Sequence, residues 1–86
     1  MPIISQFYGI IIRIFYKDTQ KHHGAHLHVE YSAVYSINSI EILEGYIPLK
    51  QNRMVIAWME IHKEELIALW KISQDDGEFF KIEPLK

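Results

Sequence analysis

His22-His23-Gly24-Ala25-His26-Leu27-His28-Val29-Glu30-Tyr31 is the stretch that decides the fold. From His26 onward, Leu27, Val29 and Tyr31 alternate with His26, His28 and Glu30. Alternation at every second residue marks a β-strand, whose successive side chains point to opposite faces. The next extended segments, residues 33–38 and 41–47, follow after gaps too short for a crossover helix, so the strands must pair antiparallel. Asn38-Ser39 supplies the turn between them, and Gly45 ahead of Pro48 marks the exit. Upstream, residues 7–16 are dense in β-branched and aromatic side chains (Ile10, Ile11, Ile12, Ile14, Phe15, Tyr16) and end at the polar run Lys17-Asp18-Thr19-Gln20-Lys21. They read as one buried strand, with Arg13 marking a solvated point on one face. The strand over 9–16 is expected to be central in the meander.

Past Pro48 the period changes. Val55, Trp58, Met59, His62, Leu66, Leu69 and Trp70 recur at spacings of three and four, the signature of an amphipathic helix over 49–74. Asp75-Asp76-Gly77 ends it with a glycine for the C′ position. The span is long for so small a domain, and His62-Lys63-Glu64-Glu65 offers a second helix start, so it is one helix or two consecutive ones. Residues 79–85 form a short extended tail limited by Pro84. The fold class is α+β: an antiparallel β-meander packed against a C-terminal helical segment, in a single domain over 1–86. The expected core holds Ile10, Ile12, Ile14, Leu27, Val29, Ile37, Leu43, Val55, Trp58, Leu66 and Trp70. Glu60, Lys63, Glu64 and Glu65 read as a solvated helix face with one charge pair, Glu60 with Lys63. His62, on the apolar stripe, reads as a packed histidine with one nitrogen hydrogen-bonded.

The chain has 86 residues and no cysteine, which excludes disulfides and thiolate metal sites. Its hydrophobic content of 49% supplies a core, and is high enough for part of the surface to be covered by a homodimer or a partner. A formal charge of −2, with the cations scattered, gives no support to nucleic-acid binding. No apolar run approaches the ~20 residues of a membrane span, and Met1-Pro2-Ile3-Ile4-Ser5 lacks a basic leader. A soluble cytoplasmic protein is expected.

Several segments stand in a familiar order: Ile4-Ser5-Gln6-Phe7-Tyr8-Gly9-Ile10-Ile11-Ile12, His26-Leu27-His28-Val29-Glu30-Tyr31, Leu43-Glu44-Gly45, Trp58, His62-Lys63-Glu64-Glu65-Leu66, Trp70 and Lys81-Ile82-Glu83-Pro84-Leu85. In these the chain resembles the bacterial family catalogued as domain of unknown function 4160. The resemblance implies a second small protein encoded nearby, of the family catalogued as domain of unknown function 2442, in what looks like a toxin–antitoxin pair. Some members have been proposed as the toxin half. The family's motif is an aspartate followed by H-x-P-P-H-x-H-V, which falls on His22, His26, His28 and Val29. Here the proline pair is Gly24-Ala25, which removes stiffness from the loop. Asp18 stands three residues further from His22 than the family's aspartate does. The turn after Tyr31 is about three residues shorter than usual in the family, which puts Ser32 in a tighter hairpin.

Three chemistries fit the histidines. As a metal site, His22, His26 and His28 would be the ligands, with Glu30 or Asp18 as a fourth; otherwise no cofactor is implied. As a metal-independent endoribonuclease acting on RNA, His26 and His28 would serve as general acid and base, with Arg13 or Lys17 stabilising the phosphorane charge. The third reading places His26 and His28 on the solvent face of a half-buried sheet that meets a small cognate protein. It is the preferred one, and the ribonuclease is the alternative.

Overall fold

The computed structural model describes residues 3–14, 24–30, 32–75 and 77–86. Among them are five strands, β1 (Ile3–Phe7), β2 (Ile10–Arg13), β3 (His26–Val29), β4 (Ala33–Ser36) and β5 (Glu41–Glu44), followed by one helical segment, α1 (Leu49–Gln74). The strands form a sheet in sequence order, each antiparallel to its neighbour. This is the α+β meander that the alternation and the short gaps dictate.

The segment expected to be one strand over 7–16 is instead a hairpin. Phe7 pairs with Ile10, and the two residues between them, Tyr8 (φ 48°) and Gly9 (φ 78°), both have positive φ. Two positive φ values in a two-residue loop match the right-handed twist of the flanking strands. β2 is therefore second in the sheet, and β3 is the central strand. At the β3–β4 connection Val29 pairs with Ala33, and Ser32 has φ 65°. Between β4 and β5, Ile40 N donates to Ser36 O at 3.0 Å, closing the Asn38-Ser39 turn.

Ile10, Ile12, Ile14, Leu27, Val29, Ile37, Val55, Trp58 and Leu66 are buried as expected, joined by Ile4, Phe7, Tyr35, Met59, Leu69 and Ile82. Two expectations need correction. Leu43 is 46% exposed, because β5 is an outer strand. Trp70 is only half-buried, at the margin of the core. Tyr35 is fully buried and its hydroxyl donates to Asn52 Oδ1 at 2.5 Å, tying β4 to the start of α1. Burial disfavours the phenolate and pushes the Tyr35 pKa up to about 12.

α1 is broken at His62 (φ −110°, ψ 19°) into two consecutive arms. No proline or glycine stands there; Glu65, three residues on, meets His62 Nδ1 through Oε1 at 2.6 Å, a side-chain pair at i,i+3 just past the break. His62 also packs on Trp58, with ring centroids 5.6 Å apart, as expected of a histidine on the stripe. Lys63, the expected partner of Glu60, donates instead to Asn38 O at 2.7 Å and fastens the second arm to the β4–β5 turn. At the C-terminus Asp75 N and Gly77 N both donate to Ile72 O. The glycine thus stands one position beyond C′, in the longer bond of a Schellman-type cap.

The tail folds back. Ile82 N donates to Ile4 O at 2.8 Å and Trp58 Nε1 donates to Glu83 O at 2.7 Å, so the chain's end covers the outer side of β1. Among the described residues no helix is long and apolar enough to cross a membrane.

Candidate functional site: a cleft on the sheet beside a buried histidine

The register aligns one row across four strands. Arg13 pairs with His28, His28 with Val34, and Val34 with Glu44. Residues directly opposite one another in a sheet share a face, so all four project from the same side. The adjoining row, Ile12, Val29 and Ala33, is buried on the other side. An open cleft of about 460 Å³ follows the first row, and Arg13, His28, Glu30, Ser32, Val34 and Glu44 are among its lining residues. A guanidinium, an imidazole and two carboxylates therefore meet over an apolar floor provided by Val34. Such a set can hydrogen-bond an anionic or polar group, and an imidazole beside a guanidinium is suited to moving a proton near a phosphate.

His26 lies elsewhere. It is 1% exposed, its Nδ1 is 2.7 Å from Gly24 O, and its ring packs 4.8 Å from Trp70 and 5.5 Å from His28. A carbonyl only accepts, so Nδ1 carries the proton. The expectation that both histidines line the solvent face fails at His26, because the Trp70 indole covers it. The alternation correctly brings the two imidazoles together, and Arg13 stands beside His28 as expected, but only His28 reaches the cleft.

His22, Asp18 and Lys17 lie outside the described residues, and with them part of the expected ligand set His22, His26 and His28. Among the described residues no group of three His, Cys, Asp or Glu side chains is placed to hold a metal ion. Sequence reasoning missed Glu44 as a cleft residue. The strand parity of 41–44 contained the signal, but using it required the β4–β5 register, which a bulge shifts by one residue at Leu43.

A second feature is a run of exposed apolar side chains that leaves the sheet and enters the helix. Ile42 is 39% exposed, Leu43 46%, Tyr46 73% and Leu49 62%. They fall within residues 42–49, from β5, the last strand of the sheet, to the first residue of α1.

The family model described as Domain of unknown function (DUF4160) matches residues 9–71, a span that contains the cleft row and the apolar run. No curated protein and no solved structure matches the chain.

Proposed function

We propose, from the premise that this chain belongs to the DUF4160 family, that it works in the cytoplasm by binding a small cognate protein, as the toxin-like half of a toxin–antitoxin-type pair. The observation that carries the reading is the exposed apolar run Ile42, Leu43, Tyr46 and Leu49. Large apolar side chains exposed within one short stretch of so small a domain are a cost in water, and covering them by a partner offsets it. Co-expression with the neighbouring open reading frame and a tagged pull-down tests the proposal. A stoichiometric complex is expected, together with growth arrest when the chain is expressed without that neighbour. Absence of a complex removes the reading.

A second reading is favoured by the Arg13–His28 pair in the cleft. On it the chain is a metal-independent endoribonuclease in which His28 transfers the proton and Arg13 meets the phosphate, while His26 fixes the position of His28 from behind. In this form His26 is a positioning residue, because its ring is covered.

A further inference from the structure

We propose that the cleft is a guanine-nucleotide site, in which the Glu30 carboxylate selects the base while Arg13 and His28 hold the phosphate. The inference rests on the ribonuclease reading above and names the nucleotide that this reading leaves open. The pairing with β2 continues one residue past β3, because Glu30 N donates to Ile11 O at 2.9 Å. Glu30 therefore still runs beside β2 and shares the face of His28, two residues back. It is exposed and lines the same cleft. The described residues give its carboxylate no hydrogen-bond or ion-pair partner. Two residues of extended chain separate same-face side chains by about 7 Å. That leaves room for a phosphate at the Arg13–His28 end and a base edge at Glu30.

The two ends make opposite demands. Arg13 favours an anion, whereas a carboxylate only accepts hydrogen bonds and repels a phosphate. The ligand must be anionic at one end and a paired donor at the other. Among the four RNA bases only guanine sets two donors, N1–H and the N2 amino group, side by side on its pairing edge. Adenine and cytosine set one donor beside a bare ring nitrogen, and uracil sets its single N–H between two carbonyls. Each of these turns a lone pair toward the carboxylate. Two acceptor oxygens facing two donors make a bidentate, charge-assisted pair, and unstacked RNA bases are read on this edge. The cleft, about 460 Å³, offers one arginine for a phosphate and an apolar floor at Val34. It suits a single nucleotide rather than a tract of backbone. A chain of net charge −2 then needs no basic stripe, because the preference comes from the base.

Titration of the purified full chain with the four nucleoside 3′-monophosphates, followed by backbone amide resonances, tests this. Guanosine 3′-monophosphate is expected to bind about tenfold or more tightly than the other three, and to shift the amides of Arg13, His28 and Glu30. Inosine 3′-monophosphate keeps N1–H but lacks the amino group, and should fall between. Salt should weaken binding with the shallow slope of about one phosphate. Glu30→Gln replaces one acceptor oxygen by a donor and should abolish the preference while phosphate binding persists. The position is exposed, and circular dichroism melts confirm that the variant is folded. Equal affinity for the four nucleotides, a preference that survives Glu30→Gln, or shifts confined to residues outside the cleft overturns the proposal. Absence of binding by all four overturns it as well. If guanosine 3′-monophosphate binds selectively but RNA stays intact, the ribonuclease reading falls and the guanine site stands. If the parent cuts RNA at every base alike and His28→Ala does not, base selection falls and the ribonuclease reading stands.

Discussion

Two glycines with positive φ separate conformation from space at the scale of single residues. Gly45 (φ +88°) follows β5, and a Cβ built on it would overlap Ser32 O and lie 3.0 Å from Ala33 Cα. Gly9 (φ +78°) has nothing within 4 Å of the same position. Left-handed backbone costs a non-glycine residue about 1–2 kcal/mol, so Gly9→Ala should cost only that. Gly45→Ala must also push two backbone segments apart, and should lower the melting temperature by about 10 °C or more, since ~1 kcal/mol moves a domain of this size by about 4–8 °C. Equal melting temperatures for the two variants would show that the approach of Gly45 to Ser32 is not constraining. Tyr35 gives a pH-dependent counterpart. Its folded pKa is about 12 against the ordinary 10.0, so between those values the unfolded chain releases a proton that the native chain keeps. Stability therefore falls as pH rises through that window, and the contribution is complete below pH 10. Tyr35→Phe should flatten this alkaline limb in denaturant titrations, while costing about 1 kcal/mol at neutral pH because Asn52 Oδ1 loses its donor.

Among the elements, α1 and its grip on the tail centre on Trp58. Its ring is fully buried, lies 5.5 Å from Phe7 and donates through Nε1 to Glu83 O. Trp58→Ala should cost about 3–5 kcal/mol, and a melting temperature within error of the parent would refute the docking of the helix on the sheet. Trp58→Phe keeps a ring against Phe7 but removes the donor, so faster amide exchange at Ile82 should report release of the tail from β1. The helix was legible because its stripe is periodic over the whole of 49–74, and Val55, Trp58 and Leu66 lie on the buried side. The first hairpin was not. A turn with two positive φ values is usually announced by Asn-Gly or Asp-Gly, and Tyr8-Gly9 sits inside an apolar run that reads as continuous strand. Leu43 was misplaced for a different reason. Alternation gives the parity of a side chain, whereas its burial depends on whether the strand has a neighbour, and that is settled by the order of the sheet.

In the whole molecule the family match over 9–71 takes in strands β2 to β5 and most of α1, and the two faces of the sheet are used differently. The side-by-side placement of His26 and His28 was readable from the strand period; what the period could not reveal is that Trp70, forty-four positions after His26 in the chain, closes over one ring and leaves the other in the cleft. That asymmetry separates the functional readings. His26→Ala removes a buried ring from Trp70 and should lower stability on the order of 2 kcal/mol, so loss of activity in that variant carries no mechanistic weight by itself. His28→Ala and Arg13→Gln act on half-buried cleft residues and should leave the melting temperature within a few degrees of the parent. If the chain is a ribonuclease toxin, either cleft variant relieves growth arrest on induction, and purified parent protein cleaves RNA in chelator at a rate that His28→Ala lowers by about a hundredfold or more. If the chain acts through its partner alone, both variants arrest growth as the parent does and still form the complex, while Leu43→Lys weakens it. A His28→Ala variant that stays folded and fully toxic therefore removes the catalytic reading and leaves the partner-binding reading, carried by the exposed Ile42, Leu43, Tyr46 and Leu49.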